Sequence, residues 1–322
     1  MLIHIDTLYH YLEEMPMSTL RRSTAWPGLA IILFLLSACS GPIGNNSFSG
    51  ASSSRLIPVV AAENFYGDIV NQLGGEHVSV TSILSDPNVD PHEYESNVQD
   101  GIAVSKARLV IENGDGYDTW MDKLLSASPN ASRTVLVGAS IADHELPDNP
   151  HVWYGIDNIP TIAKAMTDAL KKLDSADAAT FDSNLQKFDQ SVAFIQQKLD
   201  SLKAKYAGVA VGLTETIFLY QTNAIGLKVL TPFEFEKAIA EGNDPPADTV
   251  VTANDQVNKR EIKVLIYNEQ TVTPITTNLE NAARQHNIPI IPVTETMPRS
   301  LHYQQWMLAQ LTVLEQGLQS ST

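Results

Sequence analysis

Two α/β lobes, each built on a parallel sheet and joined by one long helix, are predicted by three features of this sequence. Strand-length apolar runs alternate with stretches whose apolar residues recur every three or four positions, which is the pattern of a parallel α/β fold. That alternation gives way between Ala176 and Tyr206 to uninterrupted helical periodicity without an internal Gly or Pro. It then restarts at Gly208. A long helix between two similar halves makes a clamp with a cleft between the lobes. The alternative, a helix packed inside one domain, does not account for the restart.

Taken in order, Leu56 to Ala62 (LIPVVAA) is an apolar run of strand length, and Asn64 to Leu73 is a helix that stops at Gly74-Gly75. His77 to Leu84 (HVSVTSIL) alternates as a half-buried strand does. After a loop come a helix from Asn97 to Lys106, a strand from Arg108 to Glu112 and a turn at Asn113-Gly114-Asp115-Gly116. A short helix around Thr119 to Ser126 precedes the strand Thr134 to Val137. Helices follow at Ile159 to Leu173 and Ala176 to Tyr206, the second with Phe181, Leu185, Phe188, Val192, Phe194, Ile195, Leu199 and Leu202 as its apolar set. In the second half, strands are expected at Gly208 to Leu213, Leu227 to Leu230, Lys263 to Tyr267 and Ile288 to Val293. Helices are expected at Glu215 to Ala224, Thr249 to Lys259, Pro274 to His286 and Tyr303 to Leu318. Phe233 to Asp248, with its Pro245-Pro246 break, reads as loop.

Ahead of the lobes, Arg21-Arg22 and the apolar stretch Gly28 to Ala38, too short to span a bilayer comfortably, lead to Leu36-Ser37-Ala38-Cys39. This resembles the bacterial lipobox, in which Cys39 is lipidated and becomes the first residue of the mature protein. Met1 to Pro16 carries Asp6, Glu13 and Glu14 and fits no signal peptide, so translation is expected to start at Met17. The predicted organisation is therefore a signal peptide and lipobox over 1–39, a Gly/Ser/Asn-rich tether over 40–55, an N-terminal lobe over 56–174, a linking helix over 175–207 and a C-terminal lobe over 208–322.

Asp and Glu number 37 against 21 Lys and Arg, a formal net charge of −16, which disfavours nucleic acid as a partner and suits cations. The single cysteine excludes an internal disulfide and a Cys-based zinc site. Two loops share one local order: Asp90-Pro91-His92-Glu93-Tyr94 and Asn149-Pro150-His151-Val152-Trp153. Proline stiffens the backbone on which each imidazole stands. A loop histidine is more often a solvated residue or a hydrogen-bonding spacer than a ligand. Here, however, His92 follows the second strand and His151 the fourth, and the carboxyl ends of parallel strands are where ligand sites collect. Two such histidines are candidate ligands of one metal ion. Glu215, Glu269 and Glu295 follow second-half strands and are candidate carboxylate ligands, although such a residue is commonly a solvated loop side chain or a helix cap. His77, His286 and His302 lack a ligand-like context, with His302 placed so that it could line the cleft.

The chain resembles the metal-binding lipoproteins of bacterial zinc and manganese ABC importers, a family that includes cell-surface adhesion proteins. The resemblance runs from about Leu56 to Leu318 and rests on Ala62-Glu63-Asn64-Phe65-Tyr66-Gly67, Asp90-Pro91-His92, Asn113-Gly114, Asn149-Pro150-His151-Val152-Trp153, Thr214-Glu215 and Thr294-Glu295-Thr296-Met297-Pro298. It implies one metal ion between the lobes, with His92 and His151 as first-lobe ligands, Glu215 as the third, where some members have His, and Glu295 as the fourth, where Asp is common. By the same resemblance Glu269 supports the site rather than binding the ion. Two imidazoles and two carboxylates suit Mn²⁺ or Zn²⁺, and Asp90 or a backbone carbonyl is expected to accept the other imidazole N–H. A Glu in third place and the lack of a long His-rich loop before His151 lean toward Mn²⁺. The implied protein is a monomer, tethered outside the cytoplasm by lipid, that hands its ion to an ABC permease and is not an enzyme. Two other readings are a metal-dependent hydrolase, for which a helical HExxH would be wanted and is missing, and a surface adhesin on the same fold.

Overall fold

The computed structural model describes residues 56–320 apart from Pro87, Asn88, Asp90, His92 and Glu93. Cys39, the 1–39 and 40–55 segments and His92 lie outside the described residues.

Among the described residues, eight strands form two four-stranded parallel sheets. The first holds β1 (Ile57–Glu63), β2 (Val78–Leu84), β3 (Leu109–Glu112) and β4 (Thr134–Val137) in the order β2-β1-β3-β4. The second holds β5 (Ala210–Leu213), β6 (Lys228–Val229), β7 (Leu265–Asn268) and β8 (Ile290–Val293) in the order β6-β5-β7-β8. The two orders are the same, so each lobe reverses its winding between its first and third strands. Ligands collect at the carboxyl ends of strands flanking such a reversal. β1 is buried along almost its whole length, as a central parallel strand covered on both faces must be.

Eleven helices cover these sheets among the described residues: α1 (Asn64–Gly74), α2 (Val98–Lys106), α3 (Thr119–Ala127), α4 (Gly138–Ile141), α5 (Ile159–Leu173), α6 (Ala178–Tyr206), α7 (Leu219–Ile225), α8 (Phe233–Ala240), α9 (Ala247–Asn258), α10 (Pro274–Gln285) and α11 (Tyr303–Ser320). Local chemistry sets many of their ends. The Asn97 side chain caps α2 and is answered by Asp100 in a capping box. Thr273 caps α10, whose first residue is Pro274. α1 ends where Gly75 takes a φ of 54°.

Two elements depart from the sequence expectation. Phe233 to Asp248 reads as loop, yet Phe233–Ala240 is α8, which buries Phe235, Ile239 and Ala240. At eight residues its periodicity is too brief to register, and tertiary burial supplies what local propensity does not. α4 is likewise a single turn with no periodicity of its own.

α6 runs for 29 residues and buries Phe181, Phe188, Val192, Ile195, Leu199 and Leu202 along one stripe. Phe194 lies off that stripe and is 60% exposed, so it is not a core residue as the apolar pattern suggested. The helix packs against α1 and α5 on the first-lobe side and α7 and α11 on the second. It therefore lies within a core that runs unbroken from Ile57 in β1 to Leu318 in α11. Smaller clusters around Val104 and Trp120, and around Phe235 and Leu279, cover the outer sheet faces. An aromatic seam joins the lobes. Phe65 of α1 stacks on Trp153 with centroids 4.4 Å apart and reaches Trp306 of α11 at 6.2 Å.

Candidate metal centre

His151, Glu215 and Glu295 converge. Each offers one ligand atom, and the three atoms lie within 4.8 Å of one another. All three side chains are buried. Glu215 follows β5, Glu295 follows β8, and His151 arrives from the loop beyond β4 and α4, so the three come from both sheets. His151 Nε2 stands 3.8 Å from Glu295 Oε2.

The imidazole is oriented by its own loop. Asn149 Nδ2 donates to the Thr216 carbonyl (2.9 Å), which turns Asn149 Oδ1 toward the ring, 2.7 Å from His151 Nδ1. The Nδ1 proton therefore goes to Asn149, which makes Nε2 the unprotonated nitrogen, the form of imidazole that can bind a metal. The expected acceptor for such an N–H was Asp90 or a backbone carbonyl; for His151 it is a side-chain amide. Behind this loop, Asn113 Nδ2 donates to the Pro150 carbonyl (2.9 Å), Tyr66 donates to Asn113 Oδ1 (2.9 Å), and the Asp118 carboxylate accepts the N–H groups of Asn113 and Gly114 at 2.7 and 2.8 Å. Gly114 has a φ of 78°, which a side chain resists. The Asn113-Gly114 pair thus props the proline that precedes His151.

The glutamates share a set of donors. Asn268, the last residue of β7, directs Nδ2 at Glu295 Oε1 (2.6 Å) and Glu215 Oε1 (3.2 Å). Thr271 Oγ1 also donates to Glu295 Oε1 (3.1 Å), and the Ile217 N–H donates to Glu215 Oε1 (3.2 Å). From the first lobe, the Tyr117 hydroxyl donates to Glu295 Oε2 at 2.9 Å. Burial, and next the Glu295 charge, push the Tyr117 phenol well above its usual range, so it remains a neutral donor. The Glu295 backbone is held as well. Gln270 Oε1 accepts the N–H groups of Glu295 and Thr296 at 2.6 and 2.9 Å, while Gln270 Nε2 reaches the Val89 carbonyl in the loop after β2. Asn64 makes a two-point bond to the Met297 backbone, at 2.6 and 2.9 Å.

Beneath the first-lobe loops lies a second carboxyl group of residues. Glu63, at the end of β1, is fully buried, and burial followed by the Asp118 charge pushes it well above the usual carboxylate range. Burial raises the Asp118 carboxyl as well, an effect opposed by the Gly114 and Asn113 N–H groups that point at it.

Of the other sequence candidates, Glu269 stands outside the cluster. Burial and the Glu280 charge raise it to about 7. His302 does not line the cleft: its Nδ1 lies 2.8 Å from Asp68 Oδ1 and its side chain is largely exposed. His77 is paired with Asp177 at 3.1 Å, ahead of α6. Of the supporting residues, Asn149 stood in the Asn-Pro-His motif without a role of its own, and Tyr117, Asn268, Gln270 and Thr271 were not singled out in sequence. For three of them a signal existed in the polar run Asn268-Glu269-Gln270-Thr271 after an apolar strand, of which only the carboxylate drew attention.

A cavity of about 500 Å³ opens beside His151 and Thr216 and is lined from both halves, with Tyr117, Trp120 and Lys123 on one side and Lys237 on the other. At its edge Lys237 Nζ meets Asp148 Oδ1 at 3.1 Å. No helix among the described residues is long and apolar enough to cross a membrane.

The family model and curated relatives place the chain among the metal-binding solute-binding proteins of ABC importers, carriers and not enzymes. Residues 59–317 match the family described as ZnuA, zinc-uptake complex component A, periplasmic, and the chain belongs to that family. Among curated relatives, the iron ABC transporter substrate-binding lipoprotein MtsA of Streptococcus pyogenes serotype M1 is 26% identical over 221 residues, covering 62% of this chain and 67% of that protein. The manganese-binding lipoprotein MntA of Bacillus subtilis (strain 168) is 27% identical over 223 residues, covering 62% and 68%. The fold is shared with the periplasmic zinc-binding protein TroA of Treponema pallidum (TM-score 0.66, 18% identity, 82% of this chain and 98% of that one). It is shared too with FpvC of Pseudomonas aeruginosa in complex with Mn²⁺ (TM-score 0.69, 18% identity, 83% and 100%).

Proposed function

We propose that this protein captures one divalent transition-metal ion, Mn²⁺ or Zn²⁺, between its lobes and delivers it to an ABC-type permease. The ligands are His92, His151, Glu215 and Glu295. The lobes span 56–174 and 208–322, with 175–207 linking them, and the monomer is held outside the cytoplasm by a lipid on Cys39. The observation that carries the reading is the convergence of His151, Glu215 and Glu295, all buried, within 4.8 Å. Burying two carboxylates side by side is costly, and a dication bound between them offsets both charges. Relatives named for iron and manganese binding support the class of cargo but not one metal.

Thermal unfolding of chelator-treated protein tests the reading. Zn²⁺ or Mn²⁺ at 100 times its Kd stabilises the fold by about 2.7 kcal/mol if it binds only the folded state. His92→Ala and His151→Ala should each abolish that shift and reduce bound metal, measured by inductively coupled plasma analysis, from one ion to none. Undiminished stoichiometry in both variants would refute the ligand set. Cys39→Ala should move the protein from the membrane fraction to the soluble one.

A further inference from the structure

A second group of ligand-type side chains lies away from the metal centre. His77, Asp174 and Asp177 each offer one ligand atom, and the three atoms lie within 4.8 Å of one another. His77 closes the single 3-10 turn Gly75–His77 that leads from α1 into β2, Asp174 follows α5, and Asp177 precedes α6. His77 immediately precedes β2, so the group stands at the amino ends of the first sheet, whereas the ligand loops of the metal centre leave the carboxyl ends. We propose that His77, Asp174 and Asp177 form a second metal site, which binds Zn²⁺ and ties the first turn of the linking helix α6 to the connection between α1 and β2.

The His77–Asp177 contact lacks the geometry of a simple ion pair. His77 Nδ1 stands 3.1 Å from Asp177 Oδ2, yet this buried nitrogen has no hydrogen-bond partner, so the two groups do not point at each other. Two ligands of one tetrahedral Zn²⁺, with bonds of about 2.0–2.1 Å, sit about 3.4 Å apart and point at the ion instead. The carboxylates also forgo their ordinary partners. An aspartate at the amino end of a helix usually accepts a backbone N–H of the first turn. Asp174 and Asp177 occupy such positions, ahead of the turn Ser175–Asp177 and of α6, and neither side chain makes that bond. No Lys or Arg among the described residues pairs with them. Lys171 is held by Asp182 at 2.7 Å, and Arg108 gives Nη2 to the Leu173 carbonyl at 3.4 Å. Two adjacent carboxylates without such a partner repel each other, and a dication between them removes the repulsion. The imidazole is already fixed in place. It packs edge-on against Phe181 of α6, with centroids 5.5 Å apart, and only 13% of the side chain is exposed. One imidazole nitrogen with two carboxylate oxygens is a donor set that suits Zn²⁺, and the part-exposed Asp177 leaves water access to a fourth position. Half-buried where the metal centre is fully buried, this site is the weaker of the two. Metal counted after gel filtration therefore reports the centre alone.

Isothermal titration calorimetry with Zn²⁺ tests the site in chelator-treated wild type, His77→Ala, Asp177→Ala and His151→Ala. Wild type should bind two ions, one tightly and one with micromolar affinity. His77→Ala and Asp177→Ala should each lose the weaker ion and keep the tight one, and His151→Ala should do the reverse. A wild type without the weaker ion overturns the inference. A weaker ion that survives in either His77→Ala or Asp177→Ala overturns it too, since the zinc is then adventitious and bound elsewhere. Circular dichroism checks folding. Should His77→Ala lose its packing on Phe181 and fail to fold, Asp177→Ala decides. If wild type binds a single ion that Asp177→Ala loses and His151→Ala keeps, the capture reading falls and this site stands.

Discussion

Replacing Glu295 by Gln should strengthen the metal-free protein while abolishing its response to metal. Glu215 and Glu295 present carboxylate oxygens within 4.8 Å of each other, and both side chains are buried. At an effective dielectric near 20, two such charges repel by about 3.5 kcal/mol. Making residue 295 neutral removes that repulsion together with the cost of burying a charge, itself about several kcal/mol. Against this, the bonds from Asn268, Thr271 and Tyr117 lose their charge assistance, about 1 kcal/mol each. Gln keeps a carbonyl oxygen for Asn268 and Thr271, but its amide donates to the Tyr117 oxygen where the carboxylate accepted, so the Tyr117 proton loses this acceptor at a cost of about 1 kcal/mol more. The net gain is about 3 kcal/mol, or roughly 6 °C in Tm at about 2 °C per kcal/mol for a chain of this size. Metal at 100 times the wild-type Kd should raise the wild-type Tm by about 5–10 °C and leave Glu295→Gln unmoved. The assay is differential scanning calorimetry of chelator-treated protein, with and without Zn²⁺. A metal-free Glu295→Gln less stable than wild type, or one that still rises with Zn²⁺, would refute the account of two opposed carboxylates awaiting a cation.

Asn149→Ala removes the acceptor that orients His151, and metal affinity should fall about 10- to 100-fold, read by competition with a chromophoric chelator; an unchanged Kd would remove Asn149 from the site. Phe65→Ala empties the stacked position between Trp153 and Trp306 and should cost about 3–5 kcal/mol in urea unfolding; a loss under about 1 kcal/mol would show the seam to be incidental. Glu236 is buried in α8, and desolvation pushes its carboxyl well above the usual carboxylate value of about 4.5. The folded state then holds a proton that the unfolded chain releases. Its contribution to stability is complete below about pH 4.5 and is lost as pH rises through the folded value. Glu236→Gln, neutral throughout, should flatten the decline in metal-free stability above that pH. Glu63 contributes in the same direction, so the slope should shrink and not vanish. An identical slope in Glu236→Gln would assign the effect elsewhere.

The alternation of strands and helices was legible because parallel strands are buried on both faces and helices on one stripe, and both leave a period in the residue order. β1, β3, β4 and α5 fall within a residue or two of their sequence-read positions. α8 was not legible, since eight residues of helix held in place by Phe235 and Ile239 carry too little period to separate from a Pro-rich loop. Phe194 was misjudged for a related reason: its helix is apolar enough that only the packing of neighbouring helices shows which stripe is covered.

Residue order alone determined the ligand chemistry on offer: rigid Pro-His loops, glutamates at strand ends, no thiol within the lobes, and an excess of negative charge. These follow from side-chain type and local backbone restriction, which travel with the chain. Tertiary structure alone decided how His151, Glu215 and Glu295 meet, and which glutamate oxygens Asn268 and Thr271 occupy. Those facts depend on distances between segments far apart in sequence. A neutral amide or hydroxyl becomes decisive only when the fold aims it at a buried charge.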